Sequence, residues 1–132
     1  MAVFLGSCAN LVPKKNTSDV LKGTSTTIVG IYLDKKGYPQ STREIIRVAP
    51  GQKIIFAGPD KFDIFFKDQK SPIRELEVKS SNGVISIEIP NDIFERAQRT
   101  SQTPTKIEEI IYSYGIRANG KETDPHISVC RC

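Results

Sequence analysis

The chain has 132 residues, 38% of them hydrophobic and 26% charged, with a formal net charge of +4. These values exclude a disordered or fibrous chain, and no apolar run approaches the roughly 18 residues that cross a bilayer as a helix. Nucleic acid is excluded as a partner on charge pattern: such binding gathers Lys and Arg on one face, whereas Lys14, Lys35, Lys53, Lys67 and Lys79 are spread along the chain among acids.

Residues 1–27 begin apolar and then turn polar, through Pro13-Lys14-Lys15-Asn16 and Lys22-Gly23-Thr24-Ser25, without alternation or helical period. This segment reads as a leader and linker, and residues 28–132 as one domain. From Ile28 to Leu33 the period is two, and Asp34-Lys35-Lys36-Gly37 stops the run. Glu44 to Val48 is a second strand, Pro50-Gly51 a turn, and Lys53 to Phe56 a third strand that ends at Gly58-Pro59. Phe62, Ile64 and Phe66 alternate with Asp63 and Phe65 in a further strand that ends near Ser71-Pro72.

Leu76 and Val78 alternate with acids and Lys79; Ser81-Asn82-Gly83 tolerates positive φ, and Ile85, Ile87 and Ile89 alternate again. The segment predicts a hairpin. After Pro90, Asp92 with Glu95 has capping-box spacing, and Ile93, Phe94 and Ala97 form the apolar side of one short helix. Ile110, Tyr112, Tyr114 and Ile116 form a strict alternation, Asn119-Gly120 turns the chain, and Ile127 and Val129 lie in a terminal strand. About seven strands and one short helix predict an all-β Greek-key sandwich, cupredoxin-like or immunoglobulin-like.

The run Val48-Ala49-Pro50-Gly51-Gln52-Lys53-Ile54-Ile55-Phe56, with Tyr112-Ser113-Tyr114-Gly115-Ile116 leading to Ile127-Ser128-Val129, resembles the cupredoxins, copper-binding sandwiches that include plastocyanin and azurin. The resemblance spans about residues 28–130 and implies their fold. It also implies ligands near Phe62-Asp63-Ile64 and near Gly115-Ile116, where this sequence has neither His nor Cys. A blue-copper centre takes two imidazoles and a thiolate, and the chain has one His. No cofactor and no metal ligand is therefore assigned, and copper or thiol electron transfer is the competing function.

Other tempting residues have plainer readings. His126 is a strand-start imidazole without a Ser, Cys or second His at motif spacing, so no catalytic residue is assigned and the chain reads as a non-enzyme. Asp60, Asp63 and Asp68 lack an EF-hand pattern and read as surface carboxylates. Glu108 and Glu109 are adjacent in an extended segment and point to opposite faces, so they form no acid–base pair. Tyr112 and Tyr114 read as a core face rather than a stacking platform.

Leu5-Gly6-Ser7-Cys8 resembles a bacterial lipobox, which implies cleavage before Cys8, acylation of its thiol and a periplasmic lipid anchor. Only seven residues precede Cys8 and none is charged, whereas a signal peptide carries a basic region and about 7 to 15 apolar residues. Either the reading frame starts upstream or the match is a coincidence and the protein is cytoplasmic. Cys130 and Cys132 then remain as an even pair able to form a tight bridge in an oxidising envelope. The function these features predict is a binding or structural module of the bacterial envelope. It would present loops at Pro59-Asp60-Lys61 and Asn119-Gly120-Lys121 to a protein or small-molecule partner.

Overall fold

The computed structural model describes residues 26–102 and 104–131. Within them the chain forms β1 (Thr26–Leu33), β2 (Pro39–Ser41), β3 (Ile45–Val48), β4 (Lys53–Ala57), β5 (Asp63–Phe66), β6 (Glu77–Lys79), β7 (Val84–Glu88), α1 (Ile93–Thr100), β8 (Glu109–Ala118), β9 (Lys121–Thr123) and β10 (His126–Cys130). Two mixed sheets result. The first has strand order β2-β1-β4-β7; the second runs β3-β10-β8-β5-β6, with β9 also paired to β8. The all-β sandwich with one short helix is as the alternation predicts, with ten strands among the described residues in place of about seven.

The extra strands are short ones whose sequences carry no apolar period. β2 starts at Pro39 and pairs with the end of β1, and β9 is the three-residue return of the Asn119-Gly120 turn. β1 also starts at Thr26, two residues before the apolar alternation, because Thr26 and Thr27 pair in parallel with Lys53 and Ile54.

One expectation is overturned. Glu77–Lys79 and Val84–Glu88 are not a hairpin: β6 pairs with β5 in the second sheet, while β7 pairs with β4 in the first. The predicted turn is real, since Asn82 and Gly83 have φ of 53° and 78° and Ser81 bridges Val84. It serves as a crossing between layers. The Ser80 amide donates to the Phe62 carbonyl and the Gly58 amide to the Gly83 carbonyl, so each flank is captured by a different sheet. Pro50-Gly51 is likewise a crossing, from β3 to β4, closed by the Gln52 amide donating to Ala49 and the Ala49 amide donating to Gln52 Oε1.

The inward faces carry the predicted alternations. Ile54, Phe56, Ile85 and Ile87 from the first sheet meet Ile46, Ile64, Tyr114, Ile116 and Ile127 from the second in one buried cluster. Each such side chain contributes about 1.5–3 kcal/mol by leaving water. Tyr112 and Tyr114 belong to this core, the Tyr114 ring lying 5.8 Å from Phe56 and 6.4 Å from Phe66. In α1, Ile93 and Phe94 are buried as predicted, but Asp92 makes no capping bond; its carboxylate pairs with Arg96 at 3.3 Å instead.

Candidate functional site

Pairing brings several turns to one end of the sandwich. β1 runs from its partner Lys53 toward the Asp34–Gly37 turn, and β8 runs toward Asn119. At that end Asp34 accepts bonds from the Lys36 and Tyr38 amides and from Gln40 Nε2, which fix the turn and hold the carboxyl below its ordinary range, the Tyr38 amide contributing most. The Gly58 amide bonds Gly83, and Ser80 Oγ donates to the Asp60 carbonyl while accepting the Phe62 amide. Gly58 is a packing requirement: a Cβ there would sit 2.5 Å from the Ile31 carbonyl oxygen.

The loops nominated from sequence meet here. Lys61, Asn119 and Gly120 line one cleft of about 440 Å3 with Asp63, Lys79, Ser80 and Arg117. Pro59 and Asp60 belong to the same loop but not to the cleft wall, and Lys121 turns away to lie 5.7 Å over the Tyr38 ring. Asn119 and Gly120 have φ of 57° and 74°, which builds the tight turn between β8 and β9.

Along the cleft wall, register creates a charge ladder across four strands, β9, β8, β5 and β6. Glu122 faces Arg117, Arg117 faces Asp63, and Asp63 faces Lys79. Arg117 Nε donates to Glu122 at 2.9 Å, and its Nη1 lies 3.7 Å from Asp63 and 3.5 Å from Glu77; Lys79 Nζ lies 3.6 Å from Asp63. Glu122 and Glu77 hold the arginine and lysine more firmly protonated than usual. The Arg117 guanidinium also lies 4.4 Å over the Phe65 ring, which itself covers Gly115. Sequence reading missed this ladder because its members come from separate strands; only the register of two pairings aligns them.

The remaining nominated residues fall elsewhere. His126 begins β10 on the outer face of the second sheet, opposite Ser113 and Ile45, and is exposed. The buried Ser128 two residues on donates to Glu109, so its hydroxyl is engaged with a carboxylate rather than with the imidazole. Asp63 is one rung of the ladder, whereas Asp60 and Asp68 are exposed. The positions where the resemblance would put copper ligands hold buried Phe62, Ile64 and Ile116, and Gly115 under an aromatic ring. These side chains offer no imidazole or thiolate, so the donor set does not fit a blue-copper centre. Among the described residues no group of three or more His, Cys, Asp or Glu side chains could hold a metal ion.

Cys130, at the end of β10, is half-buried and disulfide-bonded. Cys8 and Cys132 lie outside the described residues, as does the lipobox-like segment. Among the described residues no helix is long and apolar enough to cross a membrane. No protein-family model matches the chain, and no curated protein matches it either.

Proposed function

We propose that this protein is a non-enzymatic binding module of the bacterial envelope, a cupredoxin-like sandwich without copper, tethered by lipid on Cys8 and engaging a protein partner with its loop end. The observation that carries this reading is the meeting of the 58–62, 80–83 and 119–120 turns around one cleft with a rigid charge ladder along its wall. Loops fixed to a sheet framework are where recognition concentrates. Lys61, which makes no ion pair among the described residues, gives that rim a charge to offer an acidic segment. The residues that carry the cupredoxin resemblance lie in β3, β4, β8 and β10 and the connections between them, within the all-β sandwich.

Two experiments test it. The protein expressed from its full reading frame in a Gram-negative host is fractionated and its intact mass measured; the expected species is membrane-bound, starts at Cys8 and carries acyl mass. A soluble species starting at Met1 overturns the anchor. Photo-crosslinking groups placed at Lys61 and Asn119 are expected to capture a defined envelope protein that a group at Arg47, at the far end of the second sheet, does not; capture from Arg47 alone or equally from all positions overturns the loop-end interface.

A thiol redox role is the second reading, favoured by the disulfide at Cys130. A reduction potential near the roughly −200 mV of redox-active proteins would support it, and one below about −300 mV marks a structural bridge.

A further inference from the structure

A second cavity, of about 320 Å3, opens between α1 and the 69–71 segment, and it differs in chemistry from the loop-end cleft. Its apolar floor is Ile93 and Ala97 of α1 with Ile110 of β8, and its charged wall is Lys70 and Arg96. No carboxylate lines it. Arg96 pairs with Asp92 at the helix start at 3.3 Å, while Lys70 makes no ion pair among the described residues.

Tyr112 adds a third donor. The residue is only 5% exposed, lines this cavity, and its hydroxyl makes no hydrogen bond within the described residues. The buried side-chain polar atom without a partner among the described residues is the Tyr114 hydroxyl; the Tyr112 hydroxyl keeps access to the cavity and is free to donate to what enters it. Lys70 Nζ sits 5.4 Å over the same ring, carried there by a loop in which Asp68 and Gln69 both hold positive φ, 59° and 55°. Two cations and an unpaired hydroxyl thus converge beside an aliphatic floor, in a volume at the lower end of small-molecule sites.

We propose that this cavity binds a small ligand that carries a carboxylate or phosphate on a compact apolar body. The oxyanion sits among Lys70, Arg96 and the Tyr112 hydroxyl, and the apolar body lies on Ile93, Ala97 and Ile110. Charge-assisted bonds of this kind are the strong ones, and the floor adds apolar burial that a free inorganic anion would not use. The inference is independent of the loop-end reading.

The test titrates octanoate and phenyl phosphate into the isotope-labelled full chain at low salt, with octanamide and benzyl alcohol as neutral counterparts, following backbone amide resonances. The anions are expected to produce saturable shifts at Lys70, Arg96 and Ala97 that the neutral probes do not. Tyr112→Phe and Lys70→Gln should each weaken binding roughly tenfold, as the loss of one bond to a charged group does. Lys70 is exposed, so its variant keeps the fold and decides the matter if Tyr112→Phe does not. Shifts with octanoate alone identify a carboxylate ligand, with phenyl phosphate alone a phosphate, and with both the shared oxyanion. No saturable shift with either anion, equal binding of the neutral probes, or unchanged affinity in both variants overturns the proposal. Arg117→Gln, at the other site, should leave these affinities unchanged.

Discussion

Replacing Gly115 with alanine tests how the second sheet supports the charge ladder. A Cβ built at Gly115 would fall inside van der Waals contact of Cζ, Cε1 and Cε2 of Phe65, its partner across β5 and β8. The clashing atoms are the far end of a half-buried side chain, so the ring can swing outward, away from the Arg117 guanidinium it supports at 4.4 Å. Forced repacking of this kind costs about 1–3 kcal/mol, and relief of the glycine's backbone entropy returns about 0.5–1 kcal/mol. The expected net loss is about 1–2 kcal/mol, which for a domain of this size lowers Tm by about 3–5 °C per kcal/mol. Urea denaturation of the parent, Gly115→Ala, Phe65→Ala and the double variant forms a cycle. If the ring–Cβ clash is the cause, the double variant costs at least about 0.5 kcal/mol less than the sum of the single ones. Strict additivity, or a Gly115→Ala variant as stable as the parent, would refute the reasoning.

Other substitutions probe separate parts of the frame. Gly58→Ala should cost about 3 kcal/mol or more, because its Cβ meets backbone 2.5 Å away that cannot rotate aside. Gly120→Ala, at φ of 74° with open space around the Cβ, should cost only about 1–2 kcal/mol; equal losses by chemical denaturation would contradict the difference. Tyr114→Phe should keep or raise stability by about 1 kcal/mol, since the hydroxyl it removes is fully buried and, with the neighbouring Ser41 hydroxyl donating to the Arg43 carbonyl, makes no well-formed hydrogen bond among the described residues. Burial raises the Tyr114 phenol far above its ordinary range, whereas in the unfolded chain a tyrosine ionises near pH 10. The unfolded state then binds fewer protons above that pH, so stability falls as pH rises through it, and the Phe variant should show a shallower alkaline decline. Asp34, held below its ordinary range, has the opposite sign: its contribution is present above the normal carboxylate range and lost as pH falls through the lowered value, so Asp34→Asn should flatten the acid limb of the same profile.

Most strands were legible because each carries its own two-residue period. Phe62, Ile64 and Phe66, and Ile110 to Ile116, announce a dry face that the sandwich then buries. Turns were legible too, through residues that accept positive φ at Gly37, Gly51, Asn82-Gly83 and Asn119-Gly120. Sheet membership was not. Asn119-Gly120 joins β8 to its hairpin partner β9, while Asn82-Gly83 makes the same backbone bend and sends the chain into the other layer. Both turns use the same local chemistry, and what separates them is long-range: β5 captures β6, and β4 captures β7.

The candidate sites divide along the same physical line. The loop end could be anticipated, because Lys61 and Asn119-Gly120 are marked by breakers, and sandwich loops gather at the ends of strands. The ladder that stiffens it needed the register of Arg117 against Asp63 and of Asp63 against Lys79, which no local pattern encodes. The second cavity is hidden further still. Tyr112 reads correctly as a core residue, and nothing in an alternating Ile and Tyr stripe distinguishes a phenol that finds a partner from one left facing a cavity. That distinction arises only when α1 brings Arg96 to one side of the ring and the segment after Gln69 brings Lys70 over its face. Its chemistry is therefore a property of three separated segments meeting, and a sequence in which Lys70 or Arg96 were replaced by a neutral residue would predict the same strands, the same helix and the same core without the site.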